Sequence, residues 1–339
     1  MTYQEVLASA RSAMDKCKAC PVCNGRACSN HIPGPGSKGI GDTAMRNYDK
    51  WQQIRVNMDT ISDAANPDTS LELFGKSFRF PFFAGPVGAV VAHYSDKYND
   101  MTYNNVLVKA CAENGIAAFT GDGLDGNVMK VACDAIAAAG GIGVPTVKPW
   151  NMETIEAKIE IAKASGCFAI AMDIDAAGLP FLKGMNPPAG PKTVEQLSQI
   201  AKMAEVPYIV KGVMTVAGAL KAKEAGAAGI VVSNHGGRVL DQCPATAEVL
   251  MDIVDALKGS DMKIIVDGGI RSGVDVFKAL AMGADAVIIC RPFVPMVYGG
   301  AEEGVKLYIE KIGAELADTM AMCGAKTLAD INRDMIFVK

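Results

Sequence analysis

This 339-residue chain has little net charge and no long apolar run. Its 33 Lys and Arg nearly balance its 37 Asp and Glu, which leaves a formal net charge of −4. Surfaces that bind nucleic acid or anionic membranes need clustered basic residues, so the composition argues against both partners. The longest apolar run, FPFFAGPVGAVVA (80–92), is too short to span a bilayer and is interrupted by proline and glycine.

The first residues also lack the features of a secretion signal. The segment MTYQEVLASARSAMDK (1–16) has the pattern of an amphipathic helix and no continuous apolar core. A chain of this length needs no disulfides to stabilise its core. Its ten cysteines are therefore expected to be reduced thiols in the cytosol.

After residue 80 the chain alternates between apolar runs and helical patterns. Helices are indicated by segments that open on Thr or Ser and close on Gly. Continuous apolar runs indicate strands that are buried on both faces of a parallel sheet. Eight such units predict a (β/α)8 TIM barrel over residues 80–339, with residues 1–79 as an N-terminal extension of helices and loops. The eight runs are FPFFAGP (80–86), IAAFTGDG (116–123), GGIGVPTVKP (140–149), CFAIAMDID (167–175), PYIVKGV (207–213), AGIVVSNHGG (228–237), KIIVDGGI (263–270) and AVIICRP (286–292).

A doubly wound open sheet is the alternative fold. It would require a glycine-rich dinucleotide fingerprint after the first strand, which AGPVGAV (84–90) matches poorly. The barrel fold places its chemistry at the C-terminal ends of the strands. Polar residues stand at those ends in this sequence: Thr120, Asp122, Lys148, Asp173, Asp175, Lys211, Ser233 to Arg238, Asp267, Arg271 and Arg291.

The last two strand ends, DGGIRSG (267–273) and ICRPF (289–293), predict a phosphate site. Each precedes a helix and carries an arginine, and TIM barrels commonly bind phosphate after strands seven and eight. A tight turn would account for DGGIRSG alone. The second arginine, one strand later, favours the phosphate group of a cofactor.

One of only three histidines in the chain lies in VVSNHGGRVLDQ (231–242). A core histidine would stand inside the apolar run, whereas His235 follows it, beside two glycines and Arg238. Two interpretations are open for His235, a turn residue or a proton carrier.

Two longer stretches carry a resemblance to a known family. KGVMTVAGALKAKEAGAAGIVVSNHGGRVLDQCPAT (211–246) and IIVDGGIRSGVDVFKALAMGADAVIICRPF (264–293) are similar to the FMN-dependent α-hydroxy-acid dehydrogenases and oxidases, which include glycolate and lactate oxidases. The similarity is dense from about residue 205 onward and can be followed back to FPFFAGPVGA (80–89). It implies a TIM barrel with FMN at the C-terminal mouth, oxidation of a 2-hydroxy acid or related hydroxy compound, and a homo-oligomer, either a tetramer or an octamer.

The resemblance also implies residue roles. His235 would take the proton from the substrate hydroxyl while hydride passes to flavin N5, and Asp175 would orient that histidine. Arg238 would bind the substrate carboxylate, and Lys211 would stabilise the reduced flavin. Together with His235 and Arg238, His31 is expected to contact the substrate. The expected FMN contacts are Pro86, Val87, Gly88, Thr120, Asp173, Lys211, Ser233, His235, Gly236, Arg238, Asp267, Gly269, Arg271 and Arg291.

Departures from the family pattern leave the substrate open. A substrate tyrosine near the N-terminus is replaced by SNHIPGPGSKG (29–39), in which His31 is the candidate replacement donor. A second arginine after the fourth predicted strand has only Lys183 as a stand-in, and a Gln–Tyr pair has become PTV (145–147). A threonine near the flavin edge has become Asp173, which adds a negative charge.

These departures keep other functions open. One alternative is a flavoenzyme on the same scaffold with another substrate or direction, such as a reductase or an FMN-dependent isomerase. Another is a flavin-binding protein without catalysis. The electron acceptor is also open.

The segment CKACPVCNGRAC (17–28) concentrates four of the ten cysteines: Cys17, Cys20, Cys23 and Cys28. Four soft ligands in one loop are typical of compact iron–sulfur sites, whereas zinc sites more often use two separated pairs. An iron–sulfur cluster, a zinc ion and ordinary thiols are the three interpretations. A cluster would favour an anaerobic dehydrogenase over an oxidase. The third histidine, His93, is expected in a loop near the first strand end, and contact with the site is the alternative.

Overall fold

The computed structural model describes residues 1–123, 125–179, 181–182, 184–186 and 188–338. The predicted (β/α)8 barrel is confirmed by eight parallel strands with the bounds β4 Phe82–Ala84, β5 Phe119–Thr120, β6 Val144–Val147, β7 Ile170–Asp173, β8 Tyr208–Val213, β9 Gly229–Val232, β10 Lys263–Val266 and β11 Ala286–Ile289. They pair in the order β4-β11-β10-β9-β8-β7-β6-β5. A parallel bridge between Ala84 and Ala118 joins the two edges of this sheet.

Helices surround the barrel, and short antiparallel strand pairs lie outside it. The helices are α1 Tyr3–Ala13, α2 Asp42–Gln53, α3 Val90–His93, α4 Asp100–Glu113, α5 Gly126–Ala138, α6 Met152–Ala164, α7 Val194–Ala204, α8 Val216–Glu224, α9 Thr246–Ala256, α10 Gly273–Ala281 and α11 Phe293–Met322. The outer strand pairs are β1 (Arg55–Val56) with β12 (Ile336–Phe337), and β2 (Leu71–Leu73) with β3 (Lys76–Phe78). No helix in the described ranges is long and apolar enough to cross a membrane.

The sequence patterns account for these elements. Every residue of β4, β6, β7, β9 and β11 is buried, as expected for parallel strands covered on both faces. Helices α7, α8 and α10 begin after Thr193, Thr215 and Ser272, whose side chains accept hydrogen bonds from free backbone N–H groups of the first turn. The apolar runs and the polar caps therefore set the strand–helix alternation.

Residues 15–41, which we call the N-terminal segment, pack against the C-terminal ends of the barrel strands. The backbone N–H of Lys38 donates to the Gly237 carbonyl at 2.9 Å, and its Nζ donates to the carbonyls of Gly178 and Val239 at 2.6 Å each. Helix α1, which precedes the segment, packs against α11. The segment thus lies against the loops that follow β7 and β9.

Candidate active site

A cavity of about 930 Å³ opens at the C-terminal ends of the barrel strands. Its volume is at the upper end of the range for small-molecule sites. Of the residues predicted from sequence, twelve line it: Pro86, Val87, Gly88, Asp173, Lys211, His235, Gly236, Arg238, Asp267, Gly269, Arg271 and Arg291. Thr120 and Ser233 are buried beneath this lining, and Asp175 contacts it through His235. His31 is exposed and is not part of the lining.

A tight turn after β9 holds His235. Its φ of +54° is in the left-handed region, which is uncommon for a residue other than glycine. The Ser233 hydroxyl accepts from the His235 backbone N–H at 3.2 Å, and the Asn234 side chain accepts from the Gly236 N–H at 3.1 Å. Asn234 is itself paired with Asn47 of α2 through two amide hydrogen bonds of 2.7 and 2.9 Å. His235 is therefore a turn residue whose position is fixed from both sides.

The imidazole of His235 is oriented by Asp175. Its Nδ1 lies 3.0 Å from Asp175 Oδ1, and both side chains are largely buried. Burial by itself would raise the pKa of Asp175, but the nearby His235 and Lys211 outweigh burial and lower it. Gly212, at φ +102°, makes room for the carboxylate, because a Cβ at this position would lie 2.5 Å from Asp175 Cγ. An ionised carboxylate therefore holds Nδ1 and leaves Nε2 for other chemistry.

Lys211 lines the cavity, and its side chain is only 2% exposed. Its Nζ donates to Ser233 Oγ at 3.0 Å and lies 3.5 Å from Asp267 Oδ2. Burial alone would lower the pKa of Lys211, but the nearby Asp267, Asp175 and Asp173 have the larger effect and raise it above its ordinary value. Lys211 therefore stays charged. Within the described residues, Asp267 Oδ1 and Asp173 Oδ1 are buried without a hydrogen-bond partner. Buried oxygens of this kind indicate that a polar ligand completes the site.

The negative charge that Asp173 brings to the cavity is paired. Lys148, at the end of the adjacent β6, forms a salt bridge with Asp173. The backbone N–H of Lys148 donates to Asp122 Oδ2 at 3.0 Å, and the same oxygen accepts from Trp150 Nε1 at 2.7 Å. Lys158 Nζ contacts the other oxygen of Asp122 at 2.6 Å. The departure from the family pattern at Asp173 is therefore neutralised by a neighbouring strand.

Three arginines, Arg238, Arg271 and Arg291, line the cavity and donate to backbone carbonyls of the N-terminal segment. Within the described residues none of them forms a salt bridge with a carboxylate. Burial and the adjacent Arg291 lower the pKa of Arg238 to about 10, as expected for crowded positive charges. An uncompensated cluster of guanidinium groups is suited to anions. Arg238 Nη1 bonds to Gly34 O (3.0 Å) and Gly36 O (2.8 Å), Arg291 Nη2 to Gly36 O (3.4 Å) and Gly236 O (2.9 Å), and Arg271 Nε to Cys23 O (2.6 Å).

Glycines allow the turns near these arginines to pack closely against their neighbours. Gly268 and Gly269 have φ values of +85° and +86°, and a Cβ on Gly269 would lie 2.4 Å from the Asn47 carbonyl oxygen. A Cβ on Gly236 would lie 3.0 Å from Arg291 Nη2. The glycine-rich turns after β9 and β10 and the arginines after β10 and β11 thus line one side of the cavity. This arrangement is suited to a terminal phosphate.

His93, for which the sequence favoured a loop position over contact with the site, is the last residue of α3 and lines the cavity. It is buried, lines the cavity and contacts Arg238, its Nε2 lying 2.9 Å from Arg238 Nη2. Its Nδ1 accepts from the Gly34 N–H at 3.1 Å. Burial, together with Arg238 and Lys16, lowers its pKa to about 4, so the imidazole is neutral at physiological pH. The only sequence signal that His93 would line the cavity was its position shortly after a strand end.

The four clustered cysteines are half-buried free thiols. Across the part of the chain that the structure describes, no group of three or more His, Cys, Asp or Glu side chains is placed to hold a metal ion. Cys23 contributes its backbone carbonyl, rather than its thiol, to the contact with Arg271. Lys183, the expected stand-in for a second arginine, lies outside the described residues.

The chain is similar to several known proteins. A family model described as FMN-dependent dehydrogenase matches residues 35–181 and 184–338. The chain is 30% identical over 317 residues to an L-lactate oxidase of Lactobacillus jensenii, covering 85% of this chain and 76% of that protein. It is 28% identical over 360 residues to an FMN-dependent alpha-hydroxy acid dehydrogenase of Penicillium citrinum, covering 92% and 87%.

A more similar but shorter match is to a peroxisomal (S)-2-hydroxyacid oxidase of Arabidopsis thaliana, at 47% identity over 145 residues. That alignment covers 43% of this chain and 39% of the plant protein, about two fifths of the relative's length. Among solved structures, a mandelate oxidase variant superposes with a TM-score of 0.80 at 25% identity, covering 98% of this chain and 97% of that one. A flavocytochrome b2 variant with 23% identity and a TM-score of 0.81 shares the fold.

Proposed function

Because this chain belongs to the FMN-dependent dehydrogenase family, we propose that it oxidises a 2-hydroxy acid to the corresponding 2-oxo acid. The observation that carries the proposal is the His235–Asp175 pair, 3.0 Å apart, whose histidine lines the same cavity as Arg238. A base with one nitrogen anchored and a guanidinium free of carboxylate partners are the two groups that this reaction needs.

The residues present fit FMN. Unpartnered buried oxygens of Asp173 and Asp267 offer acceptors to a polar ligand, and buried Lys211 supplies a positive charge between them. Arg271 and Arg291, next to the glycine turns, would hold the terminal phosphate. When bound, FMN supplies the acceptor for the hydride that leaves the substrate α-carbon.

The proton transfer rests on His235. With Nδ1–H donated to Asp175 Oδ1, Nε2 carries the lone pair that accepts the proton of the substrate hydroxyl. The adjacent carboxylate then stabilises the imidazolium, as it does in other His–Asp pairs. Transfer of the hydroxyl proton to His235 would leave the substrate able to lose a hydride from its α-carbon, and loss of the proton and the hydride together converts the hydroxy acid to the 2-oxo acid.

Arg238 would bind the substrate carboxylate. In the structure its Nη1 is engaged by the carbonyls of Gly34 and Gly36, while its Nη2 points to His93. A carboxylate is a stronger acceptor than a carbonyl oxygen, so an anionic substrate would compete well for this guanidinium. The planar fork also aligns the carboxylate and thereby the α-carbon beside it.

The departures from the family pattern left two alternatives open, a reductase or isomerase on the same scaffold and a flavin-binding protein without catalysis. The salt bridge with Lys148 offsets one departure, the charge of Asp173. The missing tyrosine, the missing second arginine and PTV (145–147) still support the alternatives. The division at residue 79, the tetramer or octamer, the cytosolic location and a metal at the four cysteines stay predictions. The electron acceptor stays open.

Anaerobic mixing tests the proposed function. FMN-loaded protein is mixed without oxygen with a panel of 2-hydroxy acids and, separately, with NADH, while the flavin absorbance is followed. We expect at least one hydroxy acid to bleach the oxidised flavin spectrum and to be recovered as its 2-oxo acid. Bleaching by NADH alone, with every hydroxy acid inert, would establish the opposite direction of electron flow.

A further inference from the structure

Each ring nitrogen of His93 lies within hydrogen-bond distance of a donor. Its Nδ1 is 3.1 Å from the Gly34 backbone nitrogen, and its Nε2 is 2.9 Å from Arg238 Nη2. A neutral imidazole has one N–H donor and one acceptor nitrogen, so it satisfies only one of these neighbours. Whichever tautomer forms, one contact sets a donor against a donor.

The backbone contact decides which nitrogen carries the proton. The Gly34 amide is fixed by its chain and buried, and a buried N–H without an acceptor is costly. The guanidinium of Arg238 has five N–H groups and can direct them to other acceptors, such as the carbonyls of Gly34 and Gly36. His93 Nδ1 therefore accepts from Gly34, and the proton lies on Nε2, facing Arg238 Nη2.

Two N–H donors that face each other at 2.9 Å define a place for an acceptor. An oxygen atom at an ordinary hydrogen-bond distance of about 2.9 Å from both nitrogens completes a nearly equilateral triangle. Both side chains line the cavity that also contains His235. Within the described residues, no carboxylate forms a salt bridge with Arg238, so no protein group supplies this oxygen as an anion.

We propose that His93 is a substrate-binding residue, which donates from Nε2 to the same carboxylate oxygen that Arg238 Nη2 binds. His93 would thereby supply the second donor that the tyrosine supplies in the family pattern and that this sequence lacks. His31, the replacement expected from its sequence position, is exposed and outside the cavity lining. The assignment deepens the proposed function and rests on it for the identity of the anion.

Two isosteric substitutions separate binding from structural support. His93→Asn places its amide near the position of Nδ1, where its oxygen still accepts from Gly34, but it has no donor at Nε2. His93→Gln places an N–H donor near Nε2. The measurement is the dissociation constant of oxalate, an unreactive dicarboxylate, from the change that its binding causes in the flavin spectrum of FMN-loaded protein.

We expect His93→Asn to weaken oxalate binding by about 10- to 100-fold, because it removes one hydrogen bond to a charged group. His93→Gln should bind within a few-fold of wild type, and both variants should retain FMN. With a reactive hydroxy acid, the loss should appear mainly in KM and only weakly in kcat. The matched substitution His31→Asn should leave the oxalate constant close to that of wild type.

The outcomes distinguish the two proposals. If no hydroxy acid reduces the flavin of wild type but oxalate binding still depends on His93, the proposed function fails and the anion site stands. If wild type binds no oxalate, or if His93→Asn binds it as tightly as wild type, the role of His93 is overturned. A larger loss in His31→Asn than in His93→Asn also overturns it.

Discussion

Two histidines line the same cavity and meet opposite charges. His235 Nδ1 faces the carboxylate of Asp175 at 3.0 Å, whereas His93 Nε2 faces the guanidinium of Arg238 at 2.9 Å. A carboxylate stabilises the imidazolium form, while burial and a neighbouring cation keep the imidazole neutral. We call the His235–Asp175 pair the first wall of the cavity and the His93–Arg238 pair the second wall. Histidine is thus prepared to accept a proton on the first wall and to donate a hydrogen bond on the second.

The largest expected effect is that of removing the base. His235→Ala should retain FMN, because the proposed phosphate ligands are Arg271 and Arg291, but it should reduce the flavin roughly 10²- to 10⁴-fold more slowly with a hydroxy acid. Single-turnover mixing without oxygen measures this step directly. Flavin reduction at the wild-type rate would leave His235 as a turn residue alone and would end the hydroxy-acid mechanism.

On the second wall, the environment of His93 should appear in the pH dependence of the free energy of unfolding. An unfolded histidine has a pKa near 6.5, whereas the pKa of His93 in the folded chain is lowered to about 4. Between these values the unfolded chain binds more protons, so His93 lowers the free energy of unfolding as the pH falls from about 6.5 to about 4. The shift corresponds to about 2–3 kcal/mol over this range.

The matched variant His93→Gln isolates that contribution. Gln does not titrate, so the variant should lose less stability than wild type between pH 6.5 and 4, with parallel curves above pH 7. Urea unfolding at a series of pH values gives both curves. Identical slopes in the two proteins would show that His93 titrates normally, in contradiction to its buried position beside Arg238 and Lys16.

Asp175→Asn removes the negative charge beside His235 but keeps the base itself. The amide still meets His235 Nδ1 but no longer stabilises the imidazolium, so proton transfer should slow by about 10- to 100-fold, the equivalent of a charge-assisted hydrogen bond. This loss should be smaller than that of His235→Ala. The rate of flavin reduction at saturating substrate measures it, and a loss equal to that of His235→Ala would show that Asp175 fixes the position of the ring as well as its charge.

The comparison also explains what the sequence predicted and what it did not. His235, Asp175 and Lys211 stand at strand ends, and the strand–helix alternation alone predicts that strand ends meet at the mouth of a barrel. Their positions follow from local patterns that repeat along the chain. The fold, and the meeting of these strand ends at the mouth of the barrel, were therefore predictable from the sequence.

The other wall depends on contacts between distant parts of the chain. His93 becomes a site residue because Gly34 and Arg238, 59 and 145 residues away in sequence, approach it from two sides. Lys148 likewise reaches Asp173 across neighbouring strands. No local pattern encodes such pairings, and His31, which occupies the expected sequence position, is instead exposed.

Arg238→Lys should separate substrate binding from proton transfer, with a smaller effect than the variants above. Lys keeps the positive charge but loses the planar fork, so substrate affinity should fall by about tenfold while proton transfer to His235 changes little. The ratio of the change in KM to the change in kcat measures this directly. A fall confined to kcat would place Arg238 in the chemical step and would remove the division of labour between the two walls.

The smallest effect is expected from the thiol of Cys23. The contact with Arg271 uses the Cys23 backbone carbonyl at 2.6 Å, which Cys23→Ser preserves, so FMN affinity should change by less than about twofold if the thiols are ordinary ones. Metal analysis of protein prepared without oxygen decides between the three interpretations of the cysteines, and ordinary thiols would carry no stoichiometric iron or zinc. If wild type carries iron or zinc at about one site's worth and Cys20→Ser loses it, the N-terminal segment is a metal site. The wall that contains Gly34 and Gly36 would then depend on a metal centre as well as on arginines.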